Sequence, residues 1–251
     1  METSEPNIAA PSWGMSPPRL SIADGSIEAL KWIALLLMTG DHVNKYLFNG
    51  TLPYLFEAGR LAMPVFVFVL AYNLARPGMA GQGAYKRTMF RLGLFGLLAM
   101  PAFVMLGSLM VGWFPLNIMF TLLVLTAVVA LAERARAGSY IAGAGAVLVF
   151  LWGGGLVEFW WPAIALGLAC WWYCKCPSWI ALLAAVAACF SLTWINGNPW
   201  ALAALLLVVG ASRINLNVPR LRWVFYAYYP AHLVALLLIR IPMSKAGYLF
   251  F

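Results

Sequence analysis

Apolar residues gather into nine runs, separated by short polar or turn-forming links: 27–48, 60–76, 88–111, 115–132, 140–157, 159–174, 178–195, 199–212 and 222–241. A helix needs about 20 apolar residues to cross roughly 30 Å of hydrocarbon, and most of these runs come near that length. The eighth is short, and the fifth and sixth join tightly. Punctuation supports the breaks: Arg76-Pro77-Gly78, Trp113 to Pro115, Gly153-Gly154-Gly155, and Asn196 to Pro199 all carry turn chemistry. The strict alternation of outer-membrane barrel strands is absent. Helices satisfy every backbone N–H and C=O internally, as lipid demands. The pattern predicts an all-α fold, a polytopic transmembrane bundle of about nine helices forming a single domain over residues 25–251. Residues 1–24 are polar and hold Pro6, Pro11, Pro17 and Pro18. They lack the basic start, apolar middle and cleavage site of a signal peptide, and read as a flexible tail.

Composition strengthens this reading. Apolar residues make up 64% of the 251, charged residues only 10%, and mean hydropathy is +0.86. A soluble domain carries about a quarter charged residues, so there is too little polar surface here to coat a water-facing globule. Twelve Trp, fifteen Phe and ten Tyr suit helices that meet two membrane interfaces.

The net charge of +8 is distributed by topology. Arg76, Lys86, Arg87 and Arg91 flank the link between the second and third runs. Arg134 and Arg136 follow the fourth, Lys175 follows the sixth, and Arg213, Arg220 and Arg222 lie between the eighth and ninth. The alternate links, at 49–59, 112–115, 153–158 and 196–199, hold no Lys or Arg. Nine alternating helices put all four basic links on one side, which the positive-inside rule makes cytoplasmic. The amino terminus is then cytoplasmic and the carboxyl terminus outside, with Arg240 and Lys245 as mild dissenters. Basic residues scattered between apolar runs form no phosphate-tracking stripe, so no nucleic-acid partner is expected. Cys170, Cys174 and Cys189 read as small apolar helix residues and Cys176 as a loop thiol, with no metal site.

Ionisable groups inside a membrane cost about 2.5–3.5 kcal/mol each on insertion scales and persist where they pair or do chemistry. The first helix carries several. Lys31 can snorkel to the cytoplasm, while Asp41 and His42 lie about 15 Å further along the axis. Asp41 can pair with Lys45 at i,i+4. Adjacent residues point about 100° apart, so a partner for His42 should come from another helix, with Glu57 and Glu158 as candidates. His232, beside Tyr226, Tyr228 and Tyr229, sits nearer the midplane. Asp41, Glu57, Arg60 and Glu158 fit structural ion pairs at helix ends as well as they fit a site. For His42 a functional role is favoured, because imidazole is the commonest proton carrier near neutral pH.

Four stretches resemble the TraX family of membrane acetyltransferases. They are Lys31 to Lys45 with Met38-x-x-Asp41-His42, Gly59-Arg60-Leu61-Ala62-Met63-Pro64 and the apolar residues after it, Leu116-Asn117-Ile118-Met119-Phe120-Thr121-Leu122, and Phe225-Tyr226-Ala227-Tyr228-Tyr229-Pro230-Ala231-His232-Leu233. They follow the family's order across about 27–240. The first two also resemble the opening of a wider group that includes lysosomal heparan-glucosaminide acetyltransferase and bacterial polysaccharide O-acetyltransferases. The resemblance implies transfer of acetyl from cytoplasmic acetyl-CoA to an amine or hydroxyl reached from the outer side. The family's founding acceptor is the amino terminus of a conjugative pilin, and a cell-surface glycan is the wider group's alternative. The implied catalytic residue is His42, as general base. Asn44, Arg60 and Asn117 would donate to the developing oxyanion, while Asp41 and Glu158 would hold the charged centre. Arg76, Lys86, Arg87 and Arg91 would meet the phosphates of CoA, although topology explains the same charges. His232, Tyr229, Glu57 and Lys45 complete the candidate set. The implied location is a bacterial inner membrane, no metal is needed, and a homo-oligomer stays open. The longer tail and residues 76–88 depart from the pilin enzyme and leave the acceptor in question.

Two other readings compete. In a proton-coupled transporter, Asp41, His42, Glu158 and His232 would form a relay, although internal repeats and paired Gly/Pro-broken helices are missing. A non-catalytic assembly subunit of a secretion or pilus system is the other.

Overall fold

The computed structural model describes residues 17, 19–79, 81–107 and 110–250. Residues 1–16 and 18 of the expected tail lie outside the described residues. The last residues of that segment are held against the bundle: Ile22 is buried, and its backbone exchanges hydrogen bonds with the Tyr72 hydroxyl at 3.0 and 3.2 Å.

Among the described residues the nine runs become nine helical rods. The first is α1 (Asp24–Leu47). The second is α2 (Pro53–Gly59) followed almost directly by α3 (Ala62–Ala75), and Pro53 suits its place in the first helical turn, where a missing N–H costs nothing. Next come α4 (Ala84–Met105) and α5 (Ile118–Arg136). The fifth rod is α6 (Tyr140–Leu148), continued by one π turn over Val149–Gly153 into α7 (Gly154–Leu156). Then follow α8 (Trp160–Lys175), α9 (Trp179–Ser191) with α10 (Thr193–Asn196), α11 (Ala203–Arg213) behind a single 3-10 turn, and α12 (Arg222–Lys245). Side-chain caps mark three starts: Asn117 for α5, Ser139 for α6 and Ser178 for α9.

Five rods are long and apolar enough to cross a membrane: 53–75, 84–105, 118–136, 179–196 and 222–245. Their outward positions are apolar as well. Leu97, Leu183 and Leu238 are each at least 60% exposed, which in water would be a large liability and in lipid is the expected solvent-facing surface. The protein is an all-helical membrane protein.

Inside, α3 is the most enclosed rod. It packs on α8 and α1, with Val65, Val67, Ala71 and Leu74 almost wholly buried. Gly167 of α8 permits close approach to α5, since a Cβ there would fall 2.2 Å from a Leu125 methyl. A second core, of Tyr46, Leu92, Ala99, Phe103, Tyr229 and Leu233, joins α1, α4 and α12.

The starts of α1, α4 and α12 and the ends of α3, α5, α8 and α11 meet at one end of the bundle. Arg76 pairs with Asp24, the Tyr85 hydroxyl donates to Leu74 O, Lys175 pairs with Glu133, Ser26 bonds Ile214 O, and the Trp32 and Phe225 rings touch. All four basic links therefore lie at this end. In a Cys176→Ser background, cysteines placed at Gln82, Ala137 and Asn217 should react with an impermeant maleimide from one side of the membrane. Cysteines at Thr51 and Pro199 should react only from the other. Labelling of Gln82 and Thr51 positions from the same side would contradict this arrangement.

Candidate functional site

The link after α1 is built by Asn44. Its carbonyl accepts from Phe48 N and Gly50 N, and its side-chain oxygen accepts from Leu52 N at 2.8 Å. This turn brings α2 back against α1 so closely that a Cβ on Gly59 would sit 2.4 Å from Asp41 Cβ. Arg60 then lies beside Asp41, its Nη2 donating to Asp41 Oδ1 at 2.6 Å. Nη1 reaches Asn196 Oδ1 at 3.3 Å, Nε donates to Phe56 O at 3.1 Å, and the guanidinium covers the Phe56 ring. The expected i,i+4 pairing of Asp41 with Lys45 is replaced by this cross-helix pair. Lys45 instead sets its ammonium 5.2 Å from the Tyr46 ring centroid.

His42 points the other way, to α12. Its Nδ1 lies 2.7 Å from His232 Nε2, so its partner is His232 and neither Glu57 nor Glu158. The reason is register. Helices α1 and α12 run parallel, with Lys31 over the Phe225 ring and Thr39 Oγ1 2.8 Å from the Tyr228 hydroxyl, which brings His232 level with His42. Glu57 borders neither of the cavities described below. Glu158 does border one. A short backbone pairing (Leu116 N to Leu156 O and Glu158 N to Leu116 O, both 2.9 Å) ties its loop to the start of α5, and Thr121 Oγ1 donates to Glu158 O.

Two cavities meet one helical turn from His42, which borders the smaller of them. The smaller, about 300 Å³, is lined by Asp41, His42, Asn44, Lys45, Arg60 and Glu158 together with Met38, Phe66, Ile118 and other apolar groups. The larger, about 370 Å³, has Lys31, Arg87, Arg91, Arg220 and Arg222 towards the basic end and an apolar interior that includes Leu35, Val69, Leu92 and Leu122. Met38, Phe66 and Ile118 border both, so these three form the waist between them. Met38 stands one helical turn before His42.

The expected residues divide accordingly. Arg87 and Arg91 border the larger cavity, as does buried Tyr229. Arg76 is engaged with Asp24 and the Tyr72 ring, and Lys86 does not border it. Asn117 is fully buried, accepting from Met119 N and donating to Gly96 O at 2.9 Å. Its side chain starts α5 and ties that start to α4, and it lies outside both cavities. Lys31, Arg220 and Arg222 are cavity residues that the sequence reading assigned to snorkelling and topology. The signal was partly present: Lys31 lies in the first half of the first rod, and Arg220 and Arg222 flank the start of the last. Buried Glu28 holds two of them, pairing with Lys31 and, at 3.8 Å, with Arg220.

A lipid-facing bundle of helices around a polar chamber, with one cavity towards each end, defines a polytopic membrane protein with an internal two-sided site. The chain belongs to the TraX family: the family described as TraX protein matches residues 26–240. "Protein TraX" of Escherichia coli is 34% identical over 129 residues, covering 51% of this chain and 48% of that protein, so the similarity spans about half the length of that relative. No solved structure matches the chain.

The Asp41–Arg60 pair should be a structural tie as well as a wall of the chamber. Asp41→Ala or Arg60→Met alone should cost about 3–5 kcal/mol, because each strands a poorly hydrated charge. The double variant should cost clearly less than the sum. Thermal unfolding of the four proteins in one detergent measures this, and strict additivity would show that the two side chains do not interact.

Proposed function

We propose that the protein is an acyl-CoA-dependent membrane acyltransferase, moving acetyl from acetyl-CoA to an amine or hydroxyl acceptor. The observation that carries this reading is the position of His42 in the mixed polar cavity, one helical turn from the waist where that cavity meets a cationic one from the other end. Five cations and, among the described residues, no carboxylate border the larger cavity. That donor set fits the phosphates of CoA, to which guanidinium and ammonium groups form charge-assisted hydrogen bonds. By the positive-inside rule this end faces the cytoplasm, where acetyl-CoA is made, and the membrane is the inner membrane of a bacterium.

Acetyl-CoA supplies an activated carbonyl carbon and a thiolate that leaves. Arg87, Arg91 and Arg222 hold the phosphates at the mouth, while Lys31 and Arg220, tied to Glu28, line the wall beside them. Leu35, Val69 and Leu122 line the route to the waist and exclude water from it. Arg60 and Lys45, which border the smaller cavity, supply positive charge towards the oxygen of the reacting carbonyl. His42 takes the proton from the acceptor nitrogen or oxygen as that atom bonds to the carbonyl carbon, and the carbon–sulfur bond breaks to release the CoA thiolate. Membership of the TraX family supports a pilin amino terminus as acceptor. Glu158, in the acceptor cavity, would attract such an ammonium before it loses its proton.

His42→Ala should lower single-turnover acetyl transfer by about 10²–10⁴-fold, the usual worth of a positioned base, while leaving acetyl-CoA affinity nearly unchanged. A base must be neutral to act, so wild-type activity should rise with pH through the histidine titration and level off above it. Near-wild-type transfer by folded His42→Ala in nanodiscs would overturn the assignment.

A further inference from the structure

We infer that His232 is a positioning residue that holds His42 in the tautomer whose Nε2 is free to accept a proton; this rests on the reading of His42 as the base. The Tyr228 carbonyl oxygen lies 3.0 Å from His232 Nδ1, and a carbonyl only accepts. In a neutral pair His232 Nδ1 therefore carries the hydrogen, which leaves His232 Nε2 with a lone pair. That lone pair faces His42 Nδ1 at 2.7 Å, so His42 Nδ1 must be the donor and His42 Nε2 the acceptor-capable atom. The reverse arrangement would set two lone pairs against each other at His232 Nδ1 and the carbonyl.

The surroundings fix His232 in this role. It is only 7% exposed and borders neither cavity, so it meets no substrate and acts through His42. The two imidazoles are within 8° of parallel. Tyr228 stacks on His232 at 5.2 Å and 10°, and Tyr229 packs edge-on at 5.4 Å. Thr39 in turn bonds the Tyr228 hydroxyl and Leu35 O, tying the stack to α1. During turnover the hydrogen between the two rings stays on His42 Nδ1. When His42 Nε2 takes the acceptor's proton, the new imidazolium donates its Nδ1–H to His232 Nε2, which stabilises the charge. When His42 Nε2 passes that proton to the departing CoA thiolate, the starting tautomer returns. The arrangement is analogous to the orienting carboxylate of a serine-protease triad, with a neutral ring and a main-chain carbonyl in its place.

The chain contains two histidines, so an untagged protein with ¹⁵N-labelled imidazoles gives two ring spectra, separable by comparison with His232→Leu. Solid-state NMR of the wild type in nanodiscs should show both rings protonated at Nδ1 and unprotonated at Nε2. In His232→Leu the His42 ring should move to the Nε2–H form or to a mixture. In the same variant kcat should fall about 10–10²-fold with KM for acetyl-CoA unchanged, a loss smaller than that for a charged orienter. His232→Gln, whose amide oxygen can still accept from Nδ1–H, should restore much of the rate. Protonated Nε2 on His42 in the wild type, or a folded His232→Leu with unchanged His42 tautomer and full kcat, would overturn the inference. Loss of the base reading itself would show differently, as transfer that survives His42→Ala.

Discussion

Two neighbouring polar residues on a helix face about 100° apart, and in an apolar bundle each must find its own partner. Asp41 and His42 impose this requirement on everything around α1. The carboxylate needs a cation on one side, which Arg60 supplies from the joint between α2 and α3. The imidazole needs a partner on another side, which His232 supplies from α12. Helix α1 is thereby flanked by rods from opposite ends of the chain, and the gap left between them is the chamber. Gly59 is the small residue that makes the first contact close enough, since any side chain there would meet Asp41.

The same geometry explains the two cavities. Packing α12 parallel to α1 carries Arg220 and Arg222 to the end where Lys31, Arg87 and Arg91 already lie, so charges from the first, third and last rods converge on one mouth. At the other end the loop before α8 is tied to the start of α5 and sets Glu158 opposite α1. A polar group at each end and a waist of Met38, Phe66 and Ile118 between them give a path that is cationic, then apolar, then mixed. That sequence of environments suits a ligand with a phosphate-bearing head and an apolar arm, and it underlies the proposed direction of transfer.

Much of the fold is legible in the chain because apolar runs and turn residues report local structure. The tight joint near Gly153 proves to be a π turn followed by three residues of helix, and the short eighth run is a short helix. Partners are less legible, because they depend on register between distant rods. His232 looks too near the midplane if α1 and α12 are aligned by their first residues. In the structure Lys31 stands over Phe225, which sets the two histidines within about one turn of each other along the axis. Arg60 was recognised, but its claim on Asp41 depends on a turn shaped by the Asn44 side chain, and no spacing rule expresses that. Asn117 shows the opposite limit: a polar residue in a family-like stretch whose side-chain oxygen caps α5 and whose amide nitrogen ties that cap to Gly96 O of α4.

The central claim is that donor and acceptor approach one histidine from opposite faces of the membrane. It is tested most directly in sealed proteoliposomes sorted to a single orientation, with radiolabelled acetyl-CoA only on the side of the basic end and an impermeant amine acceptor only on the other. The account predicts labelled acceptor on the far side while CoA stays on the near side. Acetylation only when donor and acceptor share one compartment would contradict it.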